Sequence, residues 1–321
     1  MAHPRSRTLP DLLDEITARD PAHELIVGGA ERLSYAETRA RARRLAKGLL
    51  RLGVSRGDKV ALLMGNRPEW LVIDFALTML GATLVPISTW SRGRELAYVL
   101  DHCDATTLIT TARFAGQDYL GMLAELGGPG STRLPKLARV VVDGERRGPL
   151  TAFDALWDLG ASVDDAELAA AQRAVAPDDV AYILYTSGTT STPKGVQLAH
   201  GGLVENMWNI GERQHLTHAD RMWMGISLFW SFGCANALLA VMTHGGTIVL
   251  QESLEPGAAL ALIERERCTV YYGTPNIALA LTEHPDRARR DLTSLRTGAA
   301  IGPPPAMQMV MDLGVREICN V

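Results

Sequence analysis

The stretch that decides the fold is Tyr185-Thr186-Ser187-Gly188-Thr189-Thr190-Ser191-Thr192-Pro193-Lys194-Gly195-Val196. Serine and threonine hydroxyls, two glycines, one proline and one lysine lie between two apolar runs, 180–184 and 196–198. Glycine permits backbone conformations that bring amide groups close to a ligand. Such a loop can direct backbone amides, hydroxyls and one ammonium group at a polyanion, so the sequence predicts a phosphate-binding loop.

The loop differs from the common nucleotide-binding loop, which has the pattern G-x-x-x-x-G-K-[ST] and leads into a helix. Lys194 instead stands between Pro193 and Gly195, and the next residues, 196–198, alternate apolar and polar as in a strand. The pattern therefore predicts strand, loop, strand, with phosphate held by oriented amides and hydroxyls. The alternative interpretation is a solvated surface loop rich in serine, threonine and glycine.

Composition excludes several classes of protein. The 321 residues are 47% hydrophobic and 21% charged, which is ordinary for a globular enzyme of about two domains. The net charge of −4 gives no general affinity for nucleic acid. Four separated cysteines match no metal spacing and are expected to be free thiols, and no apolar run has the length of a membrane span. These features predict a cytoplasmic protein with no nucleic-acid partner and no membrane span.

Strand and helix patterns alternate along the whole chain. This alternation predicts an α/β fold with two doubly wound sheets and helices on both faces. Strands are predicted at 60–64, 83–86, 107–110, 139–142, 180–185, 196–198, 222–229, 247–250, 269–272, 295–299 and 315–320. Helices are predicted at about 70–80, 95–101, before 127, and at 202–212, 234–242, 257–267, 275–283 and 305–313, and an exposed connection with short helices at 144–178.

Two capping patterns and one stop signal refine these predictions. Ser34 followed by Glu37 is a capping box that begins a helix with an apolar stripe, and Gly53 ends it. Asn66 and Glu69 repeat the capping pattern before the next helix.

The stretch T-S-G-T-T-x-x-P-K-G resembles the signature loop of adenylate-forming enzymes, the family of acyl-CoA synthetases, firefly luciferase and peptide-synthetase adenylation domains. Residues 33–37 resemble the early L-[ST]-Y-x-E element of that family, and residues 80–86 resemble its G-A-x-x-V-P element. The resemblance covers nearly the whole chain. It implies a helical segment at 1–56 packing on the second subdomain, a first α/β subdomain at 57–200 that ends in the phosphate loop, and a second at 201–321 with the acyl and adenine pockets.

The resemblance also assigns the nucleotide site. The residues that it implies for ATP are Thr186, Ser187, Gly188, Thr189, Thr190, Ser191, Thr192 and Lys194 in the loop and Gly298, Ala299 and Ala300 beside the adenine. Thr186 is expected to help place Mg²⁺, a hard cation that prefers oxygen ligands. Lys194 is expected to contact phosphate, because the family's catalytic lysine lies in a C-terminal domain. Ser191 stands where the family usually has glycine.

A second set of residues is implied for the carboxylic acid: Phe229, Trp230, Gly233, Tyr272, Gly273 and Thr274. The segment 227–230 resembles the family's P-L-F-H, with Ser227 in place of proline and Trp230 in place of histidine. Our hypothesis is that Trp230 walls or gates the carboxylate pocket; the alternative is a core aromatic. His200 follows the second strand of the motif, where a structural capping role is favoured over proton transfer.

The reaction that the resemblance implies is ATP-dependent activation of an apolar or aryl carboxylic acid to acyl-AMP, followed by transfer to coenzyme A. The sequence ends at Val321 in a predicted strand, before the family's C-terminal domain. We therefore expect an N-terminal portion that is truncated before that domain, keeps part of both pockets and forms thioester poorly, with no catalytic residue assigned. Three alternatives stay open: an acyl-AMP ligase, a peptide-synthetase adenylation domain and a non-catalytic nucleotide- or acyl-binding module. The sequence also leaves open whether the chain forms a homodimer.

Overall fold

The computed structural model describes residues 2–186 and 193–320. Its strands are β1 Glu24–Gly28, β2 Glu31–Ser34, β3 Lys59–Leu63, β4 Thr83–Pro86, β5 Thr107–Thr111, β6 Arg113–Phe114, β7 Gln117–Asp118, β8 Arg139–Asp143, β9 Thr151–Ala152, β10 Val180–Thr186, β11 Lys194–Ala199, β12 Arg221–Met224, β13 Thr247–Leu250, β14 Val270–Gly273, β15 Thr297–Ala300 and β16 Glu317–Asn320. Its α-helices are α1 Leu9–Arg19, α2 Tyr35–Leu52, α3 Pro68–Met79, α4 Gly93–His102, α5 Tyr119–Glu125, α6 Ala155–Leu159, α7 Asp165–Arg173, α8 His200–Arg213, α9 Leu239–Thr243, α10 Pro256–Arg265, α11 Pro275–Thr282 and α12 Pro304–Asp312.

Two seven-stranded sheets form the framework, which confirms the predicted α/β class. The first sheet has the order β11-β10-β4-β3-β5-β8-β9, and the second has the order β16-β15-β14-β12-β13-β1-β2. Neighbouring strands are parallel except at β10–β11 and at β1–β2, which are antiparallel. Crossover helices cover both faces of each sheet, as parallel strands require.

The largest apolar core lies between the two sheets. It combines residues of both sheets with residues of α1, α2, α3 and α8. Helix α3 is buried around its circumference, with Trp70 and Phe75 fully inaccessible, because it is apolar on every side. Two further cores lie on the outer faces, against α4 and α5 on the first sheet and against α10 to α12 on the second. The order of layers is therefore helix, sheet, helix, sheet, helix.

Several local predictions are confirmed. Ser34 and Glu37 form both hydrogen bonds of the capping box at the start of α2, and Gly53 ends that helix with a φ of 94°. The connection at 144–178 contains the short helices α6 and α7. Cys103, Cys234 and Cys268 are buried free thiols, and Cys319 is a half-buried one. A separate finding, which is not a test of those predictions, is that no helix within the described part of the chain combines the length and apolarity needed to cross a bilayer.

Other local predictions were wrong or incomplete. Asn66 does not cap α3, because the cap position is Arg67, which makes no side-chain capping bond, and Pro68 is the first helical residue. The strand predicted at 222–229 ends at Met224, since the chain leaves the sheet there. The helix predicted at 234–242 begins as a π-helix, Ser231–Leu238, and continues as α9. The segment 1–56, described above as helical, also contains β1 and β2, and β1 pairs with β13 of the second sheet.

Candidate functional site

The candidate site lies where the carboxyl ends of the two sheets meet. Asn66 follows β3 of the first sheet, and its side-chain nitrogen donates to the carbonyl of Ile226, beyond β12 of the second sheet, at 2.8 Å. Its side-chain oxygen accepts the amide of Leu228 at 2.9 Å. The same edge carries the end of β10 and hence the predicted phosphate loop. In open α/β sheets, ligands bind outside the carboxyl ends of the strands, so this junction is the expected site.

The base of the predicted phosphate loop is a pair of opposed residues on an antiparallel hairpin. Thr186 at the end of β10 is paired with Lys194 at the start of β11, and both side chains are exposed. Directly opposed residues of antiparallel strands project to the same face of the sheet. A hydroxyl and an ammonium group are therefore neighbours at the mouth of the loop, an arrangement that suits an anion. The predicted contacts Ser187, Gly188, Thr189, Thr190, Ser191 and Thr192 lie outside the described residues.

Helix α4 makes hydrogen bonds to both ends of the predicted phosphate loop. The Tyr98 hydroxyl donates to the carbonyl of Pro193 at 2.8 Å, just before β11. His102 Nδ1 and the hydroxyl of Tyr185 are hydrogen-bonded at 2.7 Å. These three rings also pack on one another, with Tyr98 stacked on His102 and edge-on to Tyr185. Tyr185 and Pro193, on either side of the loop, are therefore both held by α4, which packs on the first sheet.

A pocket of about 510 Å³ opens beside the hairpin, between α8 and the π-helix. Its lining is mainly apolar, which suits a hydrocarbon or aryl group. The lining residues are Gln197, Leu198, Ala199, Gly202, Leu203, Asn206, Met207, Ser231, Phe232, Ala235, Asn236 and Ile301.

Most of these lining residues were not predicted from the sequence. The amphipathic pattern of 202–212 predicted a helix but could not show which face would border a pocket.

The π-helix sets the shape of one wall. A π-helix is wider than an α-helix and is often found at functional sites. Gly233 lies in its first turn, where an added Cβ would be 2.3 Å from the carbonyl oxygen of Ser227. Only glycine allows the turn to pack this closely on the preceding loop. Gly233 therefore has a packing role and stands behind the wall formed by Phe232 and Asn236.

Phe229 and Trp230 belong to an aromatic cluster beside the pocket. Trp90, on the loop after β4, packs edge-on to both rings at centroid distances of 5.4 Å. Such edge-to-face pairs stabilise the cluster beyond the area that they bury. Trp230 is 37% exposed and Trp90 is 58% exposed, whereas Phe229 is buried. Trp230 borders the pocket without lining it, and Trp90 is a candidate residue that the sequence analysis missed, because nothing near it marked its contact with the second sheet.

The three residues predicted at the end of β14 differ in accessibility. Tyr272 is fully buried, and its hydroxyl accepts the Gln214 side-chain nitrogen at 2.6 Å and donates to the Asn236 side-chain oxygen at 3.1 Å. Gly273 is buried, and Thr274 is the N-cap of α11 and half-buried. Tyr272 is not a lining residue of the pocket, but its hydroxyl is hydrogen-bonded to Asn236, which is one.

Gly298, Ala299 and Ala300 are buried within β15. Ala299 packs into the core between the sheets, and Ala300 packs into the core on the outer face of the second sheet. Ile301, which follows them, is 41% exposed and lines the pocket. A ligand at this edge of the sheet can therefore contact Ile301, whereas the side chains of Ala299 and Ala300 are covered by protein.

His200 makes a structural contact. It is fully buried, and its Nδ1 accepts the amide of Leu9, the first residue of α1, at 3.3 Å. Burial lowers the pKa of His200 to about 4, so the ring is neutral near pH 7. His200 therefore accepts a hydrogen bond at the N-terminus of α1, 191 positions earlier in the sequence. It does not cap α8, the helix that it begins.

A buried carboxyl group lies in the core beside the π-helix. Asp74 of α3 is fully inaccessible, and the Tyr182 hydroxyl donates to its Oδ2 at 2.9 Å, while Oδ1 has no partner within the described residues. Desolvation raises the pKa of Asp74 to about 7, against the lowering effect of the Tyr182 bond. Its titratable neighbours Tyr182 and Cys234 both have a pKa raised by burial and stay neutral near pH 7.

We expect Asp74→Asn to flatten the dependence of stability on pH. Because the pKa of Asp74 is raised from its ordinary value of 3.8 to about 7 in the folded protein, its favourable contribution is complete only below the ordinary pKa and is lost progressively as the pH rises to about 7. Melting temperatures at pH 5.5 and pH 8.5 should differ less in the variant, by an amount equivalent to roughly 2 kcal/mol. Asp101→Asn, on the exposed face of α4, is the control. An unchanged pH profile in Asp74→Asn would show that the carboxyl is already ionised in the folded protein at pH 5.5.

The described residues contain no group of three or more histidine, cysteine, aspartate or glutamate side chains placed to hold a metal ion. The exposed hydroxyl of Thr186 suits a role at a Mg²⁺ that is held mainly by phosphate oxygens and water.

The family model described as AMP-binding enzyme matches residues 13–321. Among curated proteins, the chain is 34% identical to "Putative acyl-CoA synthetase YngI" of Bacillus subtilis (strain 168), with 97% of the chain and 60% of that protein covered. It is 35% identical to "3-[(3aS,4S,7aS)-7a-methyl-1,5-dioxo-octahydro-1H-inden-4-yl]propanoyl:CoA ligase" of Mycobacterium tuberculosis (strain ATCC 25618 / H37Rv), with 92% of the chain and 58% of that protein covered. The chain thus spans about 60% of the length of these relatives.

Solved structures share the fold. The chain superposes on the anthranilate CoA ligase AuaEII, solved with anthranoyl-AMP, with a TM-score of 0.85 at 24% identity, covering 98% of the chain and 60% of that structure. It superposes on the N-terminal domain of FACL13 from Mycobacterium tuberculosis with a TM-score of 0.82 at 21% identity, covering 98% of the chain and 75% of that structure. These matches bear out the predicted fold, two sheets flanked by helices.

Proposed function

The chain belongs to the family of AMP-binding enzymes, and we propose that it binds ATP and a carboxylic acid for the synthesis of an acyl-CoA thioester. The single observation that carries the proposal is the position of an apolar pocket of about 510 Å³ beside a hairpin whose base presents Thr186 and Lys194. An anion site and an apolar pocket side by side suit a reaction that joins a phosphate to an acid.

The proposed reaction has two steps. An oxygen of the carboxylate attacks the α-phosphorus of ATP, so that an acyl–phosphate bond forms and pyrophosphate leaves. The sulfur of coenzyme A then attacks the acyl carbon, so that a thioester forms and AMP leaves. Both steps depend mainly on positioning and on stabilising negative charge.

The roles of individual residues are part of the proposal. Lys194 and Thr186 would contact phosphate oxygens, with Thr186 near Mg²⁺, and the loop residues 187–192 would surround the phosphates. The backbone of 298–301 would border the adenine. The apolar side chains of α8 and the π-helix would bind the body of the acid, and Trp230 with Phe229 and Trp90 would form the wall at the pocket entrance. The two relatives named above, an acyl-CoA synthetase and a propanoyl:CoA ligase, support the proposed reaction class, and the residue roles rest on the geometry of the hairpin and the pocket.

We expect Lys194→Ala to weaken ATP binding about tenfold, because it removes a charge-assisted contact to phosphate. Binding of adenosine, which has no phosphate, should be unchanged. Isothermal titration of MgATP and adenosine into the 321-residue chain measures both affinities, and Lys136→Ala, which removes an exposed lysine elsewhere, is the matched control. Equal ATP affinity in Lys194→Ala and the unaltered chain would remove Lys194 from the phosphate site.

The acid half of the proposal needs its own measurement. ATP–pyrophosphate exchange by the 321-residue chain with a panel of carboxylic acids should depend on the acid, while added coenzyme A should yield little thioester with this chain. The thioester step is therefore measured with the full-length product of the gene, for which exchange without thioester would favour an acyl-AMP ligase. Binding of ATP without affinity for any acid would favour a non-catalytic nucleotide-binding module and would contradict the proposal.

A further inference from the structure

Asn236 is the most enclosed polar side chain of the pocket. Gln197, Asn206 and Ser231 also line the pocket, but their side chains are exposed. Asn236 is half-buried on the π-helix, beside the apolar lining residues Phe232 and Ala235. A polar group in this position is costly to desolvate unless a ligand or another residue satisfies it.

A buried hydrogen-bond chain fixes the orientation of the Asn236 amide. The Gln214 side-chain nitrogen donates to the Tyr272 hydroxyl at 2.6 Å, and that hydroxyl donates to Asn236 Oδ1 at 3.1 Å. Gln214 and Tyr272 are both buried, and burial raises the pKa of Tyr272 above its ordinary value, so its hydroxyl keeps the proton. Because Gln214 is the donor to the Tyr272 hydroxyl, the one proton of that hydroxyl goes to Asn236 Oδ1, so the amide oxygen of Asn236 faces Tyr272 and the amide nitrogen faces away.

The amide nitrogen is left for a ligand. Asn236 Nδ2 has no hydrogen-bond partner within residues 2–186 and 193–320, and it is not enclosed by protein atoms. In the empty pocket, water can accept from it. A hydrocarbon that fills the pocket would displace that water and leave the donor unpaired, whereas a ligand with an oxygen atom in this place would replace the water.

We infer that Asn236 selects carboxylic acids whose body carries a hydrogen-bond acceptor, such as an oxo or ether oxygen, over hydrocarbon acids of the same length. This inference rests on the proposed function, because it assumes that the pocket of about 510 Å³ binds the body of the acid. A site built to hydrogen-bond a substrate group discriminates strongly against the analogue that lacks the group, since the buried partner is then unpaired.

Matched pairs of acids test the inference without any substitution. Each pair consists of a straight-chain acid and the acid of equal length with one oxo group, and the oxo group is moved along the chain from pair to pair. Affinities are measured by calorimetry with the 321-residue chain in the presence of MgATP. We expect at least one oxo acid to bind about tenfold more tightly than its hydrocarbon partner. Equal affinities in every pair would overturn the inference.

Asn236→Leu, which keeps the size of the side chain and removes the donor, should abolish the preference and bind the hydrocarbon acids more tightly. Asn209→Leu makes the same exchange at an exposed position of α8 outside the pocket lining and should keep the preference. A preserved oxo-acid preference in Asn236→Leu would overturn the assignment of that residue.

The outcomes also separate this inference from the proposed function. If acids bind without an oxo preference, only the role of Asn236 fails. If no acid of the panel binds, the proposed acid site fails and the inference fails with it. If Asn236→Leu does not fold, the matched pairs still test the preference with the unaltered chain, and Asn236→Ala, which also removes the donor, tests its assignment to Asn236.

Discussion

Replacing Asn66 by alanine is expected to lower the free energy of unfolding by about 3 kcal/mol and to displace the segment that carries Phe229 and Trp230. Asn66 is only 6% exposed. Its side chain satisfies the carbonyl of Ile226 at 2.8 Å and the amide of Leu228 at 2.9 Å. Alanine would leave both backbone groups without that partner at the junction of the two sheets, and an unpaired buried polar group costs about 1–3 kcal/mol.

Chemical denaturation measures the stability change, and near-ultraviolet circular dichroism reports the packing of the Trp90–Phe229–Trp230 cluster. Asn209→Ala, whose side-chain amide donates to the carbonyl of Glu205 on the exposed face of α8, is the matched control and should be nearly neutral. Asn66→Asp keeps the acceptor for Leu228 but loses the donor for Ile226, so it should also destabilise. Wild-type stability in Asn66→Ala would mean that the two backbone groups find other partners.

The two capping patterns show where sequence reasoning succeeds and where it fails. Ser34 and Glu37 bond to each other three positions apart, so the local pattern contains the whole interaction. Asn66 and Glu69 have the same spacing, but Asn66 bonds to groups 158 to 162 positions later in the chain. No local pattern can show such partners. The fold class could be predicted because each strand and each helix has its own apolar pattern within a short stretch of sequence, and the alternation of these patterns indicates an α/β fold.

The strand β1 was missed for a related reason. Its sequence is short, Glu24–Gly28, and its parallel partner β13 lies more than 200 positions later. The strand predicted at 222–229 was too long because the apolar residues after Met224 continue the pattern while they pack around Asn66 and Trp90 instead of pairing in the sheet.

The pocket was the least predictable part of the candidate site. Its walls are α8 and the π-helix Ser231–Leu238, and apolar residues in sequence do not distinguish a π-helix from an α-helix. The wider turn changes which residues share a face, so Asn236 and Phe232 line the pocket while the predicted Gly233 stands behind them. The loop motif predicts a candidate site at one edge of the first sheet, whereas the side chains that line the pocket could be identified only from the tertiary structure.

One residue has two competing explanations that an experiment can separate. The family resemblance places Gly298 beside the adenine, and a flat base would favour a residue without a side chain at that position. In the structure, a Cβ at this position would lie 2.0 Å from the carbonyl oxygen of Tyr271 on the neighbouring strand β14. Real Cβ atoms do not approach backbone oxygens this closely, so the sheet itself requires glycine here.

We therefore expect Gly298→Ala to destabilise the protein by about 3 kcal/mol, with a melting temperature several degrees lower or loss of soluble protein. Gly93→Ala in α4, outside the pocket lining, is the control, because nothing lies within 4 Å of a Cβ there and helical alanine is favoured over glycine. If Gly298→Ala keeps the melting temperature and loses only affinity for adenosine, the ligand is the reason for the glycine. If Gly298→Ala is less stable when no nucleotide is present, the close approach of β14 is enough to explain the glycine, because a nucleotide that is not bound cannot cause the loss of stability.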